Sequence, residues 1–183
     1  MCLIPNTNNC LIAGEDITVY KYASMRLRAK GGRLDGILVH PEDAAMNKNH
    51  WVGTELEPVW ISPFMSKCPV IYTEGETIVE PMFKGENLCE VNFGLHSYAK
   101  LEDAMARADV FRFADGMTAV LECVIPKGTR YWKSIDVPDV DTPDQYCSEA
   151  LQVKKAVYTQ CTETVANSDF VPKKAAPGGS TSV

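Results

Sequence analysis

The chain has 183 residues, of which 45% are hydrophobic and 23% are charged, and its formal net charge is −6. This length suits one compact domain, and the composition is typical of globular proteins. The acidic balance argues against unassisted binding to nucleic acid or to an anionic membrane surface. No apolar run approaches the roughly 18 residues that a membrane-spanning helix needs.

The first half of the chain predicts strands and loops. Residues 1–15 are rich in Asn and Pro and predict an irregular N-terminal arm. Ile17 and Val19 alternate with Thr18, Tyr20 and Tyr22, which predicts a strand over 17–22. A glycine-rich turn follows, and then a short strand at 37–39.

Prolines divide the next part of the chain. Residues 41–46 predict one helical turn, because Pro41 suits a first helical position and acidic residues follow it. Short β-type runs occur at 59–61, 70–72 and 77–79, each close to a proline. Prolines at this density favour edge strands and loops over central strands.

The block from Gly94 to Trp132 contains the most consistent local signals. Gly94-Leu95-His96-Ser97-Tyr98 predicts a loop that leads into a helix at 98–113, with Gly116 just after its end. Residues 118–125 are apolar on both faces apart from one acid, which predicts a central strand. Pro126-Lys127-Gly128-Thr129 predicts a tight turn, after which Tyr131 and Trp132 begin the return.

The last 50 residues predict a loop, a strand and a tail, and they complete the predicted fold. Residues 134–145 predict an exposed loop, residues 151–158 a strand, and residues 161–183 a tail that is flexible or held by a partner. The fold class is α+β: a mostly antiparallel, twisted sheet with one principal helix at about 98–113 and irregular termini. We expect an arm at 1–15, a single α+β domain at 16–160 and the tail at 161–183.

The cysteines and the first residues bear on location. Seven cysteines are spread irregularly, without a CxxC pair. An odd number of widely spaced cysteines is typical of free thiols in a reducing compartment. The N-terminus lacks the basic region of a secretory signal, and Pro5 interrupts its few apolar residues. We therefore expect a cytoplasmic protein that is not secreted by a signal peptide.

The histidines give one candidate site residue. His40, His50 and His96 lack the paired spacing of metal ligands, so we predict no metal site, and no motif implies a cofactor. His96 precedes the predicted helix, whose N-terminus would suit an anion. The alternative, which we favour, is that His96 caps the helix start or packs beside it.

Cys2 is a second candidate. Once Met1 is removed, an N-terminal cysteine would combine a thiol with an α-amine that acts as its base, as in N-terminal nucleophile hydrolases. The alternative is that Cys2 is an apolar anchor in the arm. The Leu-Ile-Pro-Asn that follows it differs from the glycine-rich starts of that class.

Glu149 is a third candidate, because its position is similar to that of the catalytic glutamate on a late strand of ADP-ribosyltransferases. These enzymes also place a basic residue on an early strand and a serine motif between that strand and the glutamate. Here Lys21 or Arg26 would be the basic residue, and Ser62 or Ser66 would belong to the serine motif. The chain departs from that pattern at Cys147, where many members carry Glu or Gln.

Several segments in order resemble one group of proteins. They are Met1-Cys2-Leu3-Ile4, Glu15 to Lys21, Gly94-Leu95-His96-Ser97-Tyr98, Cys123 to Trp132 (which includes Ile125-Pro126-Lys127-Gly128-Thr129-Arg130-Tyr131-Trp132) and Tyr146 to Leu151. The chain resembles a group of small uncharacterised proteins of gut Bacteroides-type bacteria and the phages that infect them. The resemblance covers most of residues 1–155. It implies a phage or mobile-element setting and a location in the host cytoplasm or a virion, and it implies no reaction.

These observations lead to three hypotheses. The first is a phage-derived structural or protein–protein interaction protein, a subunit of a virion or other assembly, that binds protein subunits rather than nucleic acid or membrane. The second is a small enzyme acting on a nucleotide or NAD-like ligand, in which His96, Glu149 and Lys21 or Arg26 converge. The third is a hydrolase that uses Cys2.

Overall fold

The structure, a computed structural model, describes residue 5 and residues 10–63, 70–83, 94–134 and 143–166. The helices in these ranges are α1 (Pro41–Met46), α2 (Leu101–Asp115) and α3 (Glu163–Ala166), with 3-10 turns at Gly32–Leu34 and Lys48–Trp51. The strands are β1 (Leu11–Ile12), β2 (Ile17–Lys30), β3 (Leu38–Val39), β4 (Glu55–Ile61), β5 (Ile71–Tyr72), β6 (Thr77–Val79), β7 (Leu95–Tyr98), β8 (Met117–Ile125), β9 (Arg130–Lys133), β10 (Gln145–Ser148) and β11 (Ala150–Cys161).

All strand pairs among the described residues are antiparallel, and the main path of the sheet is β1-β9-β10-β7-β2-β8-β11-β6. The predicted mostly antiparallel sheet is therefore confirmed, and helices are few. None of the helices in the described ranges combines the length and apolar character needed to cross a lipid bilayer.

The strands β2 and β8 form the centre of the sheet. β8 pairs with β2 on one side and with β11 on the other, as its continuous apolar sequence predicts. β2 is longer than the predicted strand at 17–22, because its second half pairs with β3 and β4. β5 pairs with β4 only at Trp60 and Ile61. At Pro58, β4 has a single described neighbour, β2, and such an edge position tolerates a proline.

The alternation of side chains divides the centre of the sheet into two faces. Val19 and Ala23 of β2 face one apolar cluster, together with residues of β5, β7, β8 and β11. Tyr22 of β2 and Val120 of β8 face the other way, where α2 packs on them through Ala104 and Ala108. A third cluster joins the far end of β2 to α1 and α3, and its members are Met25, Leu27, Val39, Ala44, Met117 and Val165.

The sheet curls strongly. β10 and β11 are separated in the chain by Glu149 alone, although β7, β2 and β8 lie between them in the sheet. At this corner the Glu149 backbone N–H donates to the Arg130 carbonyl over 2.9 Å, and the Glu80 N–H donates to the Glu149 carbonyl over 2.8 Å. The curl brings β9, β10 and the end of β6 together around the first apolar cluster.

Several sequence predictions need correction. The predicted loop at 95–98 is the strand β7, and the helix begins later, at Leu101. Gln145, placed in an exposed loop, begins β10. β9 does not return along β8, because its partners are β1 and β10.

Short elements also occur in both predicted terminal segments. In the predicted arm, Leu11 and Ile12 pair with β9 as β1. In the predicted tail, α3 places Val165 in the third apolar cluster with no exposed surface. The end of α2 at Gly116, whose φ is +70°, and the helical turn at 41–46 are confirmed.

Candidate functional site

The strand β7 sits between β10 and β2 and places His96 inside the sheet. His96 is directly opposite Cys147 of β10. His96 therefore belongs to a strand and lies five residues before Leu101, where α2 begins. His96 does not cap the helix, because Lys100 occupies the N-cap position without a side-chain cap.

Lys21 of β2 brings an ammonium group into the apolar interior. The residue is 7% exposed, and its Nζ donates a hydrogen bond to the His96 carbonyl over 2.5 Å. The Nζ also lies 5.7 Å from the centroid of the Tyr72 ring. Burial lowers the pKa of Lys21 to about 8, and nearby Cys123 and Cys147 offset this only in part.

The His96 imidazole is neutral at ordinary pH. Burial, followed by the charge of Lys21, lowers the pKa of His96 to about 3. Its Nε2 lies 3.7 Å from the Cys147 sulfur. Burial raises the pKa of Cys147 to about 12, and that of Cys123 to about 12 as well. Both thiols are therefore protonated and weakly nucleophilic at neutral pH.

A small pocket opens beside these groups. Lys21, His96 and Ser97 line it, and Tyr98 and Gln145 form one wall. The pocket has room for about one water molecule.

A larger cavity adjoins this pocket, and the two share Tyr98 and Gln145 as lining residues. Tyr98 and Gln145, which pair across β7 and β10, also line a cavity of about 510 Å³ against α2. Arg107 of α2 lines the cavity, and its guanidinium carbon lies 4.4 Å from the centroid of the Phe111 ring. Asp103 and the exposed Val110 contribute to the lining.

We call the pocket and the cavity together the β7 groove, and the residues that line one or the other are Lys21, Tyr22, Pro63, His96, Ser97, Tyr98, Asp103, Ala106, Arg107, Val110, Pro143 and Gln145. In the part of the chain that the structure describes, three buried side-chain polar atoms lack a hydrogen-bond partner: His96 Nδ1, Ser97 Oγ and Arg107 Nε. All three belong to residues that line the β7 groove. Buried polar atoms are satisfied in the great majority of cases, so this concentration marks the groove as a candidate binding site.

Glu149 lies at the corner between β10 and β11, and it is not among the described residues that line the β7 groove. Arg130 donates to its two carboxylate oxygens, from Nε over 2.9 Å and from Nη2 over 2.6 Å. Hydrogen bonds from Arg130 lower the pKa of Glu149. The structure thus brings Lys21 and His96 together and places Glu149 in a separate ion pair.

The other candidates are dispersed or outside the described residues. Cys2 and Ser66 lie outside the ranges that the structure describes. Arg26 donates a hydrogen bond to the Met25 carbonyl rather than lining the groove. Among the described residues, no group of three His, Cys, Asp or Glu side chains lies close enough together to hold a metal ion. The cysteines in these ranges, Cys10, Cys123, Cys147 and Cys161, are free thiols.

Of the two cations that line the β7 groove, Lys21 was a candidate from the sequence and Arg107 was missed. Lys21 continues the Ile17 and Val19 face of β2, so a charge on the apolar side of the strand was visible. Arg107 is one of several charged residues on a helix, and no sequence pattern separates it from solvent-facing positions. Its role depends on the approach of Gln145, more than 30 positions away.

No protein-family model, curated protein or solved structure matches this chain.

Proposed function

We propose that the protein binds a small polar molecule in the β7 groove, on a sheet whose principal helix, α2, forms one wall. The observation that supports this proposal is that His96 Nδ1 and Ser97 Oγ, in residues of the inner pocket, and Arg107 Nε, in a residue of the adjoining cavity, have no hydrogen-bond partners in the described part of the chain. Each unsatisfied buried group costs about 1–3 kcal/mol of stability. A ligand that supplies hydrogen bonds to these atoms would recover that cost on binding.

The chemistry of the groove favours binding over nucleophilic catalysis. The thiol of Cys147 has a pKa raised to about 12 by burial, so it is not a thiolate at neutral pH. The neutral His96 has that thiol as its neighbour rather than a carboxylate. A catalytic base needs a pKa nearer to the working pH than the value of about 3 for His96.

Nuclear magnetic resonance tests the proposal directly. The 15N-labelled full chain is titrated with small probes of three kinds: carboxylates, inorganic phosphate and neutral polyols or diamides. We expect at least one kind to shift both the Ser97 amide and the Arg107 Nε–Hε signal, because these groups line the groove. Shifts at other surfaces only, or no shift with any probe, would contradict the proposal.

A matched pair of serines controls for a general effect on the sheet. Ser97→Ala removes an unpartnered buried hydroxyl from the groove and should weaken binding of the probe that shifts the spectrum. Ser148→Ala removes an equally buried hydroxyl that donates to the Leu95 carbonyl, outside the groove lining. Equal loss of binding in the two variants would contradict a direct role for Ser97.

A second function is favoured by the edges of the sheet. We infer that the protein also associates with protein subunits, as expected for a phage-derived component of a virion or other assembly. Among the described residues β1 pairs with β9 alone and β6 with β11 alone. Both expose apolar side chains, Ile12 at 68% and Val79 at 60%. Exposed edge strands with apolar side chains favour association with another chain.

Light scattering after size exclusion tests this association. We expect a species larger than a monomer, and we expect Ile12→Lys or Val79→Lys to reduce its mass, because lysine blocks edge pairing. Val52→Lys is the matched control, since Val52 is 79% exposed in a loop and belongs to neither edge. A monomer at all concentrations would contradict the inference.

A further inference from the structure

We propose that the cavity beside α2 binds a free α-amino acid, with the carboxylate of the ligand on Arg107 and its ammonium group on Asp103. This inference rests on the proposed function and names the ligand class for one part of the β7 groove. It concerns the cavity of about 510 Å³ and uses no group of the inner pocket. The supporting observation is that two side chains of opposite charge line this cavity without pairing with each other in the described part of the chain.

The spacing of the two charges on α2 would ordinarily favour an ion pair. Asp103 and Arg107 are four residues apart, so their side chains leave the helix on the same face, one turn apart. The Arg107 guanidinium instead packs on Phe111, one turn further along, with its carbon 4.4 Å from the ring centroid. The guanidinium is therefore held toward Phe111, and both charges are left for a ligand.

The Tyr98 ring indicates that the two charges face the same part of the cavity. Burial raises the pKa of the Tyr98 phenol, the positive charge of Arg107 lowers it, and the negative charge of Asp103 raises it. Both charged groups are thus close enough to act on one hydroxyl group. The phenol itself is uncharged at neutral pH, so it neutralises neither of them.

Arg107 is suited to hold the carboxylate. The Phe111 ring packs on the face of the guanidinium, whereas its N–H groups point outward in the plane of the group. The Nε atom is buried and has no hydrogen-bond partner in the described structure. A carboxylate binds an oriented guanidinium through two parallel hydrogen bonds, one of which can come from Nε.

The separation of the charges in an α-amino acid suits a bridge from Arg107 to Asp103. The ammonium nitrogen and a carboxylate oxygen are about 3 Å apart, because a single Cα joins the two groups. With a hydrogen bond of about 2.9 Å at each end, the ligand spans roughly 9 Å. A helical turn rises about 5.4 Å, so this span can join two side chains that start one turn apart and do not contact each other.

The rest of the cavity lining is largely apolar and indicates the kind of side chain. Ala106, Val110 and Pro143 line the cavity, and Val110 is 69% exposed. An aliphatic side chain of the ligand would cover Val110, and each Å² of apolar surface removed from water contributes about 25 cal/mol. The lining therefore favours an aliphatic amino acid such as leucine, valine or methionine over a charged one.

Isothermal titration of the full chain at pH 7 tests the inference, and 15N NMR locates the binding. The probes are leucine, valine and methionine, each beside its N-acetyl derivative, which lacks the ammonium group, and its primary amide, which lacks the carboxylate. The dipeptide leucyl-leucine is the probe for wider charge separation. We expect one amino acid to shift the Arg107 Nε–Hε signal and to bind at least about tenfold tighter than either of its derivatives, since each derivative loses charged hydrogen bonds.

Two variants assign the ends of the ligand. Arg107→Gln should weaken the amino acid about tenfold and make its affinity equal to that of its primary amide. Asp103→Asn should make the affinity equal to that of the N-acetyl derivative instead. Glu102→Gln and Arg33→Gln, at exposed residues outside the cavity lining, should change neither. Equal weakening of the amino acid and both derivatives in either variant would overturn the assignment, because a merely structural role has that effect.

The outcomes separate this inference from the proposed function. If a derivative binds as tightly as its amino acid, or if leucyl-leucine binds tighter than every free amino acid, the α-amino acid is wrong. If no amino acid binds while a carboxylate, phosphate or a polyol shifts the Ser97 and Arg107 signals, the inference is wrong and the groove is still a binding site. If no probe of any kind shifts them, the proposed function itself is wrong. If a variant fails to fold, the derivatives on the unchanged protein decide.

Discussion

Lys21 places a positive charge among apolar side chains, and the protein gives it little compensation. The neighbouring side chains are thiols, an imidazole and a phenol rather than carboxylates. A buried charge that is not paired destabilises the folded state. The free energy of unfolding is therefore lower than it would be with an apolar residue at this position, which is typical of sites kept for binding.

Replacing Lys21 with methionine should raise stability at neutral pH and change its pH dependence. The folded state releases the Lys21 proton near pH 8, whereas the unfolded state releases it only near the ordinary lysine pKa of 10.5. Between these values the unfolded state binds more protons, so the unchanged protein gains stability as pH rises. We expect the advantage of Lys21→Met to fall by about 3 kcal/mol from pH 7 to pH 10.5. Urea unfolding measures this, and a difference independent of pH would contradict it.

Gly94, at the start of β7, has no room for a side chain. A Cβ there would lie 2.3 Å from the Cys147 sulfur, and its φ of +140° is unfavourable for other residues. We expect Gly94→Ala to cost about 2–4 kcal/mol of stability through overpacking and backbone strain. Thermal and urea unfolding test it. Gly14→Ala is the control, because nothing lies within 4 Å of its Cβ position; an equal effect of both changes would refute the explanation.

The elements that the sequence predicted best are those with long periodic patterns. β8 has nine residues of nearly continuous apolar character, and α2 has apolar residues at helical spacing that end at Gly116. β7 and β10 were missed, because four residues of mixed polarity are too few for alternation to be read. Their strand conformation comes from pairing with each other and with β2 and β9, which is information that no local window contains.

The short helix α3 should contribute to stability although its sequence looks like part of a tail. Val165 has no exposed surface and packs against Met117 and the end of β2. We expect Val165→Ala to lower the free energy of unfolding by about 2 kcal/mol. Val157→Ala in β11, where the side chain is 36% exposed, should cost less than half as much. Urea unfolding distinguishes them, and equal costs would show that α3 does not belong to the core.

The curled sheet as a whole was beyond what the sequence could predict. The turn at 126–129 has the residues of a hairpin, yet β9 leaves β8 and joins β1 and β10. Turn chemistry determines where a chain reverses, but not which strand it then pairs with. The candidate groove has the same origin, since it unites residues of β2, β7, α2 and the segment before β10. Only the types of its residues, and the position of Lys21 on an apolar face, could be anticipated.

Hydrogen exchange should reflect the order of strands across the molecule. Amides of β2 and β8 that pair at the centre of the sheet should exchange most slowly, because opening them requires loss of the main apolar clusters. Amides of β1, β3, β5 and β6 should exchange faster than those of β2 and β8, because each of these four strands has one described neighbour. Exchange measured residue by residue by NMR tests this order. Slow exchange in β1 and β6 would instead indicate that another chain covers these edges.

The pairing of β2 with β8 has a consequence for biosynthesis. Ile17 pairs with Ile125, about 100 residues later in the chain. At translation rates of about 5–20 residues per second, the first half of β2 waits for several seconds before its central partner emerges from the ribosome. During this interval β3 and β4 pair with the second half of β2 alone. The nascent chain therefore carries an apolar, unpaired segment at 17–23, which is where a ribosome-associated chaperone would bind.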